Sequence, residues 1–293
     1  MCVFIRDHLQ RLPMNHKGWV ESQVSGLKVY FRPEDRQDAH AIEQYCLASF
    51  AVLEQLWGLK APLNCRIFVM TDWRSFIFDS ATTIQRIRYY LAYPLWVRRI
   101  GSMWQYVGGW TLPYRKAPVV GIKPGRLAST SDRTIGRQIF IEQPDPQKKI
   151  CNITAHELTH AAAAHLSLPA WLNEGLAMRT ADAVLGVETV MPETLELIKK
   201  TRRGARIWFL MNLNWNPRSS QDLVYRYVRG YWITRYFQQT NPNVLKSILR
   251  QRLSRQEIYL RLGKAAGLKG GNFWTQIDRR VYEFFTQSEG VRN

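Results

Sequence analysis

His156, Glu157 and His160 carry the most readable chemistry in the chain, within Ile150–Ala177, ICNITAHELTHAAAAHLSLPAWLNEGLA. On an α-helix, residues four apart stand on one face, one turn apart. His156 and His160 can therefore aim two imidazoles at one metal ion. Glu157 points toward the same cleft but lies too far round to complete a tetrahedron. That is the place for a general base taking a proton from a metal-activated water. The helix itself is expected, because Ala155, Leu158 and Ala161–Ala164 are good or acceptable helix formers. Ser167, Leu168 and Pro169 supply a stop.

Two histidines leave zinc short of a protein ligand, and Glu174 is the best third. Ala170–Ala177 reads as the start of a second helix, and two helices joined by so short a turn pack antiparallel. That fold-back returns Glu174 toward the histidine pair. His165 lies on a different helical face. A three-histidine metzincin pattern is excluded, since Ala163 and Leu166 occupy the positions where it requires Gly and His.

HELTH followed by PAWLNEGLA resembles the gluzincin metallopeptidases, in particular the bacterial peptidase MA-like family. The resemblance implies an α+β, zincin-like (gluzincin) fold. It further implies a small mixed β-sheet in an N-terminal lobe, an edge strand along the cleft and a helical C-terminal lobe. The implied activity is hydrolysis of peptide bonds with Zn2+ held by His156, His160 and Glu174 and with Glu157 as base. Trp171–Gly175 is also similar to a segment of aminopeptidases. However, no Gly-x-Met-Glu-Asn element for a free substrate amine is present, so an endopeptidase is favoured over an aminopeptidase.

The elements that would position these residues are readable in part. Leu27–Phe31 is expected as a strand, Asp35–Leu56 as a helix ending at Gly58, and Asn64–Met70 as a buried strand. Thr71–Leu91 is expected to be helical. Tyr93–Arg137 is rich in Pro and Gly, with Val119–Ile122 a strand inside it. Gln138–Glu142 is the stronger strand candidate. Its position before the metal helix suggests, within the resemblance, the edge strand on which a peptide substrate would lie.

Further along, Pro192–Thr201, Leu223–Gln238, Val244–Leu262 and Phe273–Thr286 read as helices. Tyr227-Val228-Arg229-Gly230-Tyr231 is similar to a Tyr-x-x-Gly-Tyr helix of peptidase MA-like chains that returns across the metal site. A phenol there would stabilise a tetrahedral oxyanion, with Tyr231 favoured over Tyr227. Asp182 is a candidate to orient a histidine. The expected division is an arm over 1–24, a zincin lobe over 25–182 and a helical lobe over 183–293.

Composition bounds the partners. The 293 residues with 46% apolar content suit a globular chain. The four cysteines show no C-x-x-C pairing, and Cys151 reads as a buried thiol. The net charge of +18 and pI near 10.0 point to an acidic substrate, an anionic membrane surface or nucleic acid. Nucleic acid is the less favoured, because a DNA-associated zinc protease would require a third histidine ligand. A peptidase fold kept only for binding would have no need of all four site residues. The Trp- and Tyr-rich Tyr89–Leu112 suits an interfacial segment better than a membrane span, since it carries Pro94, Arg98 and Arg99. No convincing signal peptide or transmembrane helix is read, and a cytoplasmic or peripheral-membrane location is expected.

Overall fold

The computed structural model describes residues 18–24, 26–112, 117–131, 136–199, 218–269 and 272–290. The chain is α+β. Strands β1 (Val20–Val24) and β2 (Leu27–Phe31) form an antiparallel hairpin, with Gly26 at φ +80° supplying the left-handed turn. Of the expected arm over 1–24, residues 1–17 lie outside the described residues, while Trp19 and Val20 are buried in the core and 20–24 form β1. Helix α1 (Arg36–Trp57) crosses over to β3 (Arg66–Val69), parallel to β2, and ends at Gly58 in a left-handed cap, as its glycine predicts.

Helices α2 (Trp73–Ser80) and α3 (Thr83–Trp104) follow. Asp72 caps the first, and a Thr82–Gln85 capping box starts the second. Strand β4 (Gly109–Leu112) then pairs antiparallel with β5 (Val119–Ile122), which is parallel to β3. The sheet order is β1-β2-β3-β5-β4.

The strands alternate, so the sheet is apolar on both faces. Val29, Phe31, Ile67, Val69, Val120 and Ile122 join the main core, whereas Phe68, Met70 and Val119 pack beneath α2 and α3 with Phe76 and Trp73. The main core is continuous across the expected lobe boundary, because Ile42, Leu158, Leu176, Ile233 and Ile277 belong to one cluster.

On the main-core face lie α4 (Gly125–Ser131), α5 (Pro146–Ala163) and α6 (Ala170–Leu185). Asp145 caps α5 and Pro146 sits in its first turn, so the Pro-Asp-Pro run starts this helix. The remainder is helical: α7 (Glu196–Lys199) after a 3-10 turn at Pro192–Leu195, then α8 (Arg218–Thr240), α9 (Pro242–Leu249), α10 (Arg255–Ala265) and α11 (Phe273–Gly290).

The single helix expected over Val244–Leu262 is two, because Ser254 and Glu257 form a capping box that starts a new one. A larger correction concerns Gln138–Glu142. It is not a strand of the sheet. A 3-10 turn occupies Gly136–Gln138, and Phe140 makes one isolated bridge to Val190. Its backbone partners, Thr189 and Met191, lie just after α6. The sheet ends at β4, and among the described residues no strand pairs with its outer edge. No helix among the described residues is long and apolar enough to cross a membrane.

Candidate metal centre

Helices α5 and α6 place the three expected ligands together. Ser167 at φ +56° and Pro169 turn the chain after α5, and the two helices pack against each other. His156 Nε2 and His160 Nε2 lie 3.1 Å apart. Glu174 Oε2 is 3.3 Å from the first and 3.5 Å from the second. All three donor atoms fall within 4.8 Å of one another. Glu174 Oε2 is buried and accepts no hydrogen bond, so a carboxylate oxygen with a full lone pair faces two imidazole nitrogens. An anionic oxygen beside two converging nitrogens fits a divalent cation of zinc type.

The electrostatics follow from the same convergence. Burial raises the Glu174 carboxyl, but His160 and His156 outweigh it and hold the pKa well below the ordinary carboxylate value. Burial alone would lower His160. Glu174, Glu157 and the Asn173 side chain overcome it and push His160 up to about 9. His160 and Glu174 thus favour a charged pair, and a cation binding there would have to displace a proton.

The cleft around these residues has a volume of about 490 Å³. Gly109, Trp110 and Thr111 of β4 wall one side, Tyr227 of α8 stands over it, and Leu168 and Asn173 close the α5–α6 end. Glu157 is buried within it. Thr111 Oγ1 lies 2.6 Å from Glu157 Oε2 and 3.0 Å from the Glu157 carbonyl oxygen. The hydroxyl has one proton to donate, and the charged acceptor at the shorter distance takes it. This bond fixes the carboxylate beside the histidines.

Gly109 explains how β4 comes so close. A Cβ there would stand 2.5 Å from Glu157 Cγ and 2.8 Å from Ile153 Cγ2, so any larger residue would force strand and helix apart. Sequence reasoning missed Gly109 and Thr111 entirely. The Gly108-Gly109 doublet, the one signal available, reads as a loop until its partner helix is known.

The two tyrosines separate. Tyr231 is fully buried, its hydroxyl 2.9 Å from Asp182 Oδ2 and 3.2 Å from Arg179. It does not line the cleft. Tyr227 does, with its ring parallel to His156 at 6.5 Å between centroids. The preference for Tyr231 is therefore reversed. Burial first, then the Glu174 and Glu157 charges, raise the Tyr227 phenol well above its ordinary value, so it stays protonated and able to donate.

Asp182 is likewise engaged elsewhere. It accepts from the Thr189 amide and hydroxyl and pairs with Arg179, tying the end of α6 to the chain beyond it and to α8. It does not orient the histidines. Cys151, at the base of α5, is buried and its thiol is pushed up to about 11 by burial, as suits an inert packing residue.

Helix α8 reaches the site by an unusually close crossing. A Cβ on Gly175 would lie 2.2 Å from the Gly230 carbonyl oxygen, and one on Gly230 would lie 2.2 Å from the Trp171 carbonyl oxygen. Two glycines thus face each other where α6 and α8 cross. This contact, one residue past Glu174 and three past Tyr227, sets the height of Tyr227 over the ligands. Comparison of the chain with protein-family models and with curated proteins finds no match.

Proposed function

We propose that the chain is a zinc-dependent peptidase of gluzincin type, hydrolysing peptide bonds in a peptide or protein substrate. One observation carries this reading: His156, His160 and Glu174 present three donor atoms within 4.8 Å, with Glu157 in the same cleft. The ligands would be these three, and Zn2+ would supply Lewis acidity, polarising a carbonyl and acidifying water.

The remaining work belongs to side chains of this chain. Glu157, held by Thr111, accepts the proton of the attacking water and returns it to the leaving amine. The protonated Tyr227 phenol donates to the carbonyl oxygen as negative charge develops there, a contribution of about 3 kcal/mol when well placed. The outer edge of β4 offers unpaired backbone groups to an extended substrate, which would bind as a further strand beside Glu157.

An endopeptidase is favoured over an aminopeptidase. Glu157 and Glu174 are the two carboxylates among the residues lining the cleft, and both have roles at the reacting centre, which leaves none of the lining carboxylates to hold a free substrate amine. The test is cleavage of an unstructured protein by zinc-loaded chain, with the new ends identified by mass spectrometry. Internal cuts at many positions are expected. Release of single N-terminal residues would overturn the endopeptidase assignment.

A further inference from the structure

Helix α3 is apolar on two opposite faces, and the fold uses one of them. Tyr89, Tyr93, Val97, Ile100 and Trp104 recur at helical spacing and pack on the second core, against the sheet face carrying Phe68, Met70 and Val119. On the opposite side Ile84, Ile87 and Leu91 form a second stripe, at 68%, 55% and 79% exposure, with Tyr90 at 61% beside it. Pro94 continues the stripe and is also exposed. Four of the nine exposed large apolar side chains among the described residues are therefore in this one helix. Such clustering differs from the scattered surface Leu or Ile of ordinary proteins.

The charges say what covers it. Helix α3 carries Arg86, Arg88, Arg98 and Arg99 and no Asp or Glu, in a chain of net charge +18. Arg88 and Arg98 are exposed and flank the apolar stripe. Apposing two copies of this face would set arginines against arginines with no acid to offset them, which disfavours a second copy of the chain. Nucleic acid would engage the arginines but gain nothing from Ile84, Ile87 and Leu91.

An anionic lipid surface satisfies both features at once. The aliphatic stripe enters the boundary between headgroups and acyl chains while the flanking arginines meet lipid phosphates. The arginines and Pro94 also make the helix unsuited to spanning, so it would lie in the plane of the interface.

We propose that α3 is an interfacial helix that docks the protein on anionic membranes. Residues Gln105–Gly108 join α3 directly to β4, the wall of the cleft. Docking through α3 would therefore tether the domain that carries the cleft to the lipid surface, with the sheet between the docked helix and α5.

The test uses no metal and no peptide. Full-length protein is sedimented with vesicles of phosphatidylglycerol and phosphatidylcholine, and with phosphatidylcholine alone, beside an Ile87→Glu, Leu91→Glu variant whose melting curve shows that it is folded. The wild type is expected to bind the anionic vesicles and the variant to bind at least about tenfold more weakly. Hydrogen exchange on the wild type provides a check that needs no variant. Amides of 83–104 should gain protection when anionic vesicles are added. Equal binding by wild type and variant, or no added protection in α3, would overturn the proposal. So would failure of the wild type to bind anionic vesicles, whether the chain then binds duplex DNA, dimerises or does neither.

Discussion

In the proposed mechanism, Thr111 would hold Glu157 ready as the base. The hydroxyl 2.6 Å away fixes one carboxylate oxygen and would leave the other for a proton in transit. Thr111→Val removes the bond and keeps the shape. It is expected to lower kcat about tenfold or more with zinc content unchanged, measured by steady-state kinetics beside metal analysis. Tyr227→Phe should lower kcat by about 10²-fold with zinc retained. Tyr231→Phe should leave kcat near wild type and lower thermal stability by about 1–2 kcal/mol, since its hydroxyl serves Asp182.

The pH dependence of metal binding has a definite sign. His160 is pushed up to about 9 in the apo site and must lose its proton to bind a cation. Zinc affinity should therefore rise with pH to about 9 and fall about tenfold per unit below it, releasing about one proton at pH 7. Titration calorimetry in buffers of different ionisation enthalpy measures that proton, and a count near zero would contradict the site. At this scale the sequence was most legible where chemistry and helical spacing coincide, in His156, Glu157, His160 and Glu174. The tyrosines were harder to separate. Both sit on α8, and which of them faces the cleft depends on the rotation at which α8 crosses α6.

That crossing is the critical contact between elements. Gly230→Ala would place a methyl group 2.2 Å from the Trp171 carbonyl oxygen, and backbone cannot yield as a side-chain tip can. The expected cost is at least ~3 kcal/mol in chemical denaturation, with Tyr227 displaced and kcat reduced in any folded fraction. A stability near wild type would show that α6 and α8 are not so tightly packed.

Element boundaries in the sequence were clear wherever a cap announced them. Gly58 closes α1, and Pro169 precedes α6. The Ser254–Glu257 box was overlooked, which merged α9 with α10. The misplaced edge strand has another cause. Gln138–Glu142 has the apolar composition of a strand, but its neighbours in space are Thr189–Met191. Strand β4 starts with Gly109, after Gly108, where a strand ordinarily has side chains, because α5 leaves room for nothing larger. Its composition records a tertiary contact and hides the local structure.

Across the whole molecule, one core ties α5 and α6 to the sheet and to the C-terminal helices. Trp57 of α1 donates to Thr180 of α6 at 2.8 Å, and Arg229 of α8 forms a paired bond with Asp278 of α11, both groups largely buried. Zinc bound between α5 and α6 should stabilise this whole unit. At a thousandfold excess over Kd the gain is about 4 kcal/mol, a rise in Tm of roughly 5–10 °C. A thermal shift by zinc in the wild type and in Glu157→Gln, but not in His160→Ala, is the expected pattern.

The central claim is that His156, His160 and Glu174 hold a hydrolytic zinc served by Glu157. Its most direct test joins metal analysis to cleavage of an unstructured protein in three samples: wild type, Glu157→Gln and His160→Ala. About one zinc per chain is expected in the first two and none in the third, with cleavage by the wild type alone. A Glu157→Gln protein that cleaves as well as wild type would contradict the account, as would a wild type that neither holds zinc nor gains activity from it.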